Sequence, residues 1–262
     1  MSPWPIVPPM GTNLRGKVVV VTGGNSGIGL GMAEGCAKAG ADVAIWSRRA
    51  DRNAEACERL QKHGIRARGF VCDVGEEAQI VAATRTTLAA LGRIDACVAS
   101  AGAPGYQKLL GDVTLEDWRR VTRVSLDGLF LTFREVSRHM IERGDGGALV
   151  AVSSTSAIHG AQRNHAYASA KTGILGLVRA LAVELARHKI RVNSILPGWT
   201  ITEMAAAGYE NEKFRSVITG RTPVRRWAEP SEFETVGAYL CDPTLTFHTG
   251  DQLVVDGGYT VF

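Results

Sequence analysis

Along this chain short runs rich in apolar and β-branched residues alternate with longer stretches of helical character. The runs are Val18 to Thr22, Asp42 to Trp46, Arg66 to Val74, Ile94 to Ser100, Ala148 to Val152, Ile190 to Leu196 and Gln252 to Val255. A strand apolar on both sides is one covered on both faces, which is the habit of parallel sheets. Between the runs the pattern predicts helices over Leu30 to Ala39, Asn53 to His63 and Glu76 to Leu91. A further long helical stretch opens at Thr114-x-x-Asp117, which has capping-box form, and runs to about Arg143. Another carries Tyr167 and continues to about His188, and Pro230-Ser231-x-x-Glu234 opens the last. Strand and helix in alternation predict an α/β fold, a doubly wound parallel seven-stranded sheet with helices on both faces and right-handed crossovers.

The remaining segments organise the chain. Residues 1–12 hold four prolines and read as a loose tail, with no positive region ahead of an apolar one as a signal peptide needs. Residues 199–226 show no clear period. They follow the carboxyl end of a strand and read as a long, flexible lid over a substrate. No internal repeat or linker appears, so 13–262 is expected to be a single catalytic domain.

Composition narrows the function. The chain is 45% hydrophobic and 21% charged over 262 residues, ordinary for a globular protein with a large core. The net charge is only +4 and basic residues come in pairs, which gives nucleic-acid binding little support. No apolar run reaches about 18 residues, so no spanning helix is expected. The five cysteines show no Cys-x-x-Cys and no metal-ligand spacing, consistent with a reducing, cytoplasmic setting and no metal site.

The candidate chemistry lies where the runs end. After the first, Gly23, Asn25, Ser26, Gly27, Ile28 and Gly29 give a G-x-x-x-G-x-G loop between strand and helix. A pyrophosphate needs bare backbone N–H groups and a helix N-terminus there, and side chains would block it. After the second, Ser47 stands where a dinucleotide fold usually has an acid for the adenosine ribose, and Arg48 follows. Arginine grips phosphate, so NADP(H) is expected over NAD(H). Two solvated arginines opening a surface helix are the plain alternative. Asp73 and Val74 close the third run. Asp73 reads either as a partner of the adenine amino group or as an N-cap-like residue of the helix that follows. Ala101 and Gly102, just past the fourth run, are small enough to let a cofactor lie against the strand end.

The fifth run delivers Ser154 to its carboxyl end, where ligands bind in open α/β sheets. Tyr167 follows, and Lys171 lies one helical turn beyond it on the same face. A free phenol titrates near 10. A cation about 4 Å away, at an effective dielectric of about 20, is worth roughly 4 kcal/mol, or about three pKa units. The spacing therefore predicts a Tyr167 phenol able to exchange protons near neutral pH.

These pieces occur together in order. T-G-G-N-S-G-I-G at 22–29, Asp73-Val74, Ala101-Gly102, Ser154, Tyr167-x-x-x-Lys171, Asn193, Pro197-Gly198 with Thr202, and Asp256-Gly257-Gly258 resemble the short-chain dehydrogenase/reductase family along nearly the whole chain. The resemblance implies a Rossmann-type fold, NAD(P)-dependent interconversion of a ketone and a secondary alcohol, and a homotetramer or dimer. It implies Tyr167 as acid and base, Lys171 as the residue that lowers its pKa and bonds the nicotinamide ribose, and Ser154 as donor to the substrate oxygen. Pro197, Gly198 and Thr202 would meet the cofactor. Two departures stand out: Ala99-Ser100 replaces the family's usual Asn-Asn, and Ser125 replaces an Asn that holds a water of the proton relay. Ser125 is expected to keep that relay through its hydroxyl. His159, Trp199 and Met204 are candidate substrate contacts, although each also reads as ordinary packing. Within the family, a 3-oxoacyl thioester reductase-like and a polyol or keto-sugar dehydrogenase-like enzyme both remain open. Arg163, Arg225 and Arg226 are a candidate docking patch for an acyl carrier. A catalytically weak NADP(H)-binding sensor is the alternative from another class.

Overall fold

The computed structural model describes residues 11–262, so ten of the twelve residues expected to form a tail lie outside the described residues. Strands β1 (Val18–Thr22), β2 (Asp42–Ser47), β3 (Ala67–Val71), β4 (Ala96–Ala99), β5 (Gly147–Val152), β6 (Ile190–Pro197) and β7 (Gln252–Val255) build one sheet. Every neighbouring pair is parallel, in the order β3-β2-β1-β4-β5-β6-β7. The chain winds outward from β1 to β3, then returns to lay β4 on the other side of β1. The switch falls between β1 and β4, and there the loops leaving the strand ends diverge and open a crevice.

Nine α-helices among the described residues cover the sheet: α1 (Gly27–Lys38), α2 (Ala50–Gln61), α3 (Glu77–Leu91), α4 (Leu115–Thr122), α5 (Gly128–Arg143), α6 (His165–Leu185), α7 (Ala206–Glu210), α8 (Glu212–Arg221) and α9 (Glu234–Cys241). Alternate residues of one strand serve opposite cores, as the pleat requires. Val19 and Val21 pack with Met32, Leu60, Phe233 and Leu240 of α1, α2 and the α9 region. Val18 and Val20 pack with Ile80, Phe133, Met140 and Ile174 of α3, α5 and α6.

Several boundaries differ from the sequence expectation. The first helix begins at Gly27, not Leu30, because the glycines that look like loop are its first turn. Its glycines serve packing as well. A Cβ at Gly31 or Gly35 would lie 1.9 Å from the carbonyl oxygen of Pro230 or Glu234, so α1 presses bare backbone against the start of α9. The long helix from Thr114 to Arg143 is interrupted by a π-helical turn over Arg123–Asp127. The segment 199–226 is corrected most. Much of it is helical, with α7 and α8 inside it, and Asn211 caps α8 by accepting from the backbone N–H of Phe214 at 3.0 Å. The aromatic residues scattered through the segment gather only in three dimensions, so no local period announced these helices.

Candidate active site

The glycine loop is shaped by what its missing side chains would strike. Gly23 (φ +65°) and Gly27 (φ +52°) adopt backbone that side chains disfavour. A Cβ at Gly23 would stand 3.0 Å from Ala101, one at Gly27 3.0 Å from the Thr202 methyl, and one at Gly29 2.5 Å from the Gly23 carbonyl. The loop therefore touches the β4 end through Ala101 and the start of the 199–226 segment through Thr202. Ser26 is the N-cap of α1, yet its side chain caps nothing. The first N–H groups of α1 are thus left for a ligand, which suits an anion. Thr202 in turn accepts from the N–H of Ala205 at 3.3 Å. A cleft of about 500 Å³ runs from Asn25, Ser26 and Gly27 to Arg52, Thr202, Glu203 and Tyr209. These residues fit a dinucleotide pyrophosphate, because bare backbone at a helix N-terminus lines one wall of an open cleft.

At the β2 end Ser47 is half-buried and Arg48 exposed. Arg48 has no ion-pair partner among the described residues, whereas Arg49 and Arg52 hold Glu203 at 2.9 and 3.1 Å. Beneath them lies Asn53, 2% exposed and unmarked by any motif. It bonds Asn25, Ser47 and two backbone carbonyls. Asp73 lies two residues beyond the end of β3. One of its oxygens accepts from the N–H of Gly75 at 2.9 Å and the other faces Arg123 at 3.6 Å. It is not the cap of α3, a place held by Glu76. Val74 is buried, and its carbonyl excludes any side chain from Gly128.

The β5 end and α6 bring the reactive groups together. Ser154 extends from β5, and its Oγ accepts from the N–H of Ser156 at 3.1 Å, which leaves the hydroxyl proton to be donated elsewhere. The Ser153 hydroxyl donates to the Lys171 carbonyl at 2.8 Å, pinning α6 to the strand end. Tyr106 takes the N–H of Ala166 at 3.2 Å and so holds the first turn of α6. The sequence places Ser153 at the strand end but shows nothing of its bond, and gives Tyr106 no role; their partners are 18 and 60 residues away.

Lys171 is 4% exposed, and its Nζ donates to the Val152 carbonyl at 2.8 Å. Burial pulls its pKa from 10.5 to about 8. The Nζ lies 5.5 Å from the centroid of the Tyr167 ring. The expected lowering of the phenol pKa by this cation is corrected. Burial raises the Tyr167 pKa, and the hydrogen bond with Ser154 opposes that rise. The physical reason is that the ammonium is itself desolvated, and its hydrogen bond runs to the Val152 carbonyl. Ser125 is fully buried on the π-helical turn, and its Oγ accepts from the N–H of Ala103 at 3.1 Å. A Cβ at Gly102 would be 3.8 Å from both the Lys171 Nζ and the Ser125 Oγ, which places all three at one spot at the β4 end.

The substrate candidates separate. Met204 stands over this spot, its Cε 3.9 Å from a Cβ placed at Gly102. Trp199 turns away and packs on Phe214 and Trp227, each with ring centroids 5.1 Å apart. It belongs to the cluster of Ile218, Trp227 and Tyr259 that anchors the 199–226 segment. His159 lies 5.4 Å from the ring of Tyr259, and its buried Nε2 has no hydrogen-bond partner among the described residues. The C-terminal residues divide in the same way: Tyr259 folds back on its own chain, while Val261 and Phe262 are exposed. Pro197 ends β6, and Gly198 donates to the Val255 carbonyl at 3.0 Å. Asn193 ties β6 to the segment before β7 through His248 and Asp251.

A family model described as "Enoyl-(Acyl carrier protein) reductase" matches residues 23–260. The chain belongs to the short-chain dehydrogenase/reductase family. It is thereby an oxidoreductase of that family. It is similar to 2,5-dichloro-2,5-cyclohexadiene-1,4-diol dehydrogenase of Sphingobium indicum, 34% identical over 95% of this chain and 99% of that protein. It is 35% identical to D-threitol dehydrogenase of Mycolicibacterium smegmatis over 95% of this chain and 94% of that one. Among solved structures it resembles a gluconate 5-dehydrogenase from Burkholderia cenocepacia J2315 in complex with NADP and tartrate. The TM-score is 0.90 and the identity 33%, with 96% of this chain and 98% of the other covered. No helix among the described residues is long and apolar enough to cross a membrane.

Proposed function

We propose that this member of the family interconverts a ketone and a secondary alcohol with NADP(H), with NAD(H) as the second cofactor. The observation that carries the proposal is the meeting of Ser154, Tyr167 and Lys171 at the β5 end, beside the crevice that the glycine loop opens. When bound, the cofactor supplies or accepts the hydride at the substrate carbon. The chain's own residues handle the proton. In reduction Tyr167 gives its phenolic proton to the carbonyl oxygen as that oxygen gains charge. Ser154, one of whose lone pairs takes the N–H of Ser156, donates its hydroxyl to the same oxygen. Lys171, its pKa lowered by burial to about 8, and Ser125 beside it return a proton to Tyr167. Arg48, exposed and unpaired among the described residues, is the cation for a 2′-phosphate, because Arg49 and Arg52 are occupied by Glu203.

A polyol or keto-sugar is the favoured substrate class. The relatives named above act on diols and polyols by their names. An acyl-carrier partner would need a free basic patch, yet Arg226 is held bidentately by Glu232 at 2.6 and 2.7 Å, and Arg225 donates to the Gly220 carbonyl. In this reading 13–262 is one catalytic domain, 199–226 is the lid, and Met204 is the lid residue that meets substrate. The exposed Val261 and Phe262 suit a neighbouring subunit in a homo-oligomer.

The test is NADPH oxidation with a panel of keto-sugars and simple ketones, wild type against Tyr167→Phe, alongside dinucleotide binding to both. Turnover that falls at least about a hundredfold in the variant while binding persists supports the reading. Binding without turnover across the panel would favour the sensor.

A further inference from the structure

We propose that Asn53 is a positioning residue that forces Ser47 to present a lone pair, not a proton, to the adenosine ribose, and so sustains NAD(H) binding beside the Arg48 arm for NADP(H). The inference rests on the dinucleotide reading above and deepens it.

The argument is one of hydrogen-bond polarity. Asn53 is buried, and its carboxamide contacts four groups. Two are backbone carbonyls, those of Ser47 and Phe70, each 3.2 Å from Nδ2. A carbonyl can only accept, so the amide's nitrogen end must face them and its oxygen end must face away. Oδ1 then meets the Ser47 hydroxyl at 2.6 Å and the Asn25 side-chain nitrogen at 3.0 Å. An amide oxygen can only accept, so the single proton of the Ser47 hydroxyl is committed to Asn53. Asn25 must likewise turn its nitrogen end inward, and that nitrogen donates its second proton to Ser47 Oγ. The chain of assignments starts from two backbone carbonyls and leaves no free choice.

The outcome at the β2 end follows. Ser47 has given its proton to Asn53 and one lone pair to Asn25. What remains is one lone pair. A ribose 2′-hydroxyl can donate to it, whereas a 2′-phosphate oxygen, itself an acceptor, cannot bond it. An acid at this position of a dinucleotide fold reads the ribose hydroxyls in the same sense, as an acceptor. The latch thus gives a neutral serine the polarity of that acid without its charge, so it does not repel the phosphate that Arg48 attracts. The same network ties the glycine loop, through Asn25, to β2. A Cβ at Gly69 would come 2.7 Å from that of Asn53, so β3 is shaped to admit the amide.

The experiment is titration of the full chain with NADH and NADPH, read by quenching of intrinsic fluorescence. The quantity is the ratio of the two Kd values in wild type, Ser47→Ala, Asn53→Leu and the double variant. Ser47→Ala is expected to weaken NADH about fivefold to tenfold, the range of one ordinary hydrogen bond, and to leave NADPH nearly unchanged. Asn53→Leu releases the Ser47 proton to a phosphate and is expected to shift the ratio toward NADPH by about tenfold. In the Ser47→Ala background that shift should vanish, because Asn53 acts through the hydroxyl. Ser47→Ala leaves Asn53 and both carbonyl bonds in place, so the premise that Ser47 accepts from the ribose stays open to refutation even if Asn53→Leu does not fold. An unchanged ratio in Ser47→Ala, with binding intact, would overturn this inference alone. So would an Asn53→Leu shift that persists undiminished in the double variant. Failure of the wild type to bind either nucleotide would overturn the dinucleotide reading and this inference with it.

Discussion

Lys171→Met should make the protein more stable at neutral pH while removing a residue of the proposed proton relay. The methionine keeps the unbranched chain and removes only the ammonium. Burial lowers the Lys171 pKa from 10.5 to about 8. At about 1.4 kcal/mol per pKa unit, that lowering corresponds to roughly 3 kcal/mol against the charged form in the folded state. Methionine also leaves the Val152 carbonyl without its partner, which costs about 1 kcal/mol and leaves a net gain near 2 kcal/mol. For a chain of this size that is a rise in Tm of about 4–8 °C. The pH dependence supplies the sharper test. Below the folded pKa near 8 both folded and unfolded chains carry the proton, and the folded protein bears the whole penalty. Between about 8 and 10.5 the unfolded chain keeps a proton that the folded one has released, so wild-type stability rises with pH through that window. The advantage of the variant should therefore be full at pH 7 and shrink steadily toward pH 10. Thermal unfolding of both proteins across that range is the assay. A variant no more stable than wild type at pH 7, or an advantage of the same size at pH 9.5, would refute the claim that the buried ammonium is a strained group.

Three further outcomes test other parts of the structure. Gly35→Ala would gain about 1 kcal/mol of helix propensity, yet its Cβ would sit 1.9 Å from the Glu234 carbonyl oxygen, so a net loss of about 2 kcal/mol is expected in urea unfolding. Ser125→Ala strands the N–H of Ala103 in a fully buried place and should cost about 1–3 kcal/mol, with a fall in turnover if the hydroxyl serves the relay. Arg48→Ala should raise the Kd for NADPH about tenfold and leave that for NADH alone, since one charge-assisted contact to a phosphate is lost.

Much of the candidate site could be read from one dimension because its parts are set by local periods. Tyr167 and Lys171 share a face because a helix turns every 3.6 residues, and Ser154 stands at a strand end because an apolar run stops there. The glycine loop is legible for the same reason: a strand, a glycine-rich turn and a helix follow one another directly. Other residues of the site left no such trace. Asn53 meets Asn25 across 28 positions, and Glu203 meets Arg49 across 154. No periodicity links residues so far apart in the chain.

The division between the two levels has a physical basis. Runs of β-branched and apolar residues, alternating with helical stretches, were enough to specify a parallel doubly wound sheet, and the order of motifs was enough to specify the family. These depend on backbone conformation and hydrophobic burial, which are written locally. Which groups carry which charge and which proton was decided by packing. The sequence suggested that Lys171 lowers the pKa of Tyr167, but desolvation in the folded core acts on the lysine first, and only the fold supplies the Val152 carbonyl that it bonds. The same holds at the β2 end. Ser47 and Arg48 are visible as residues, yet the direction of the serine's hydrogen bond is set by two carbonyls and two amides that folding brings together.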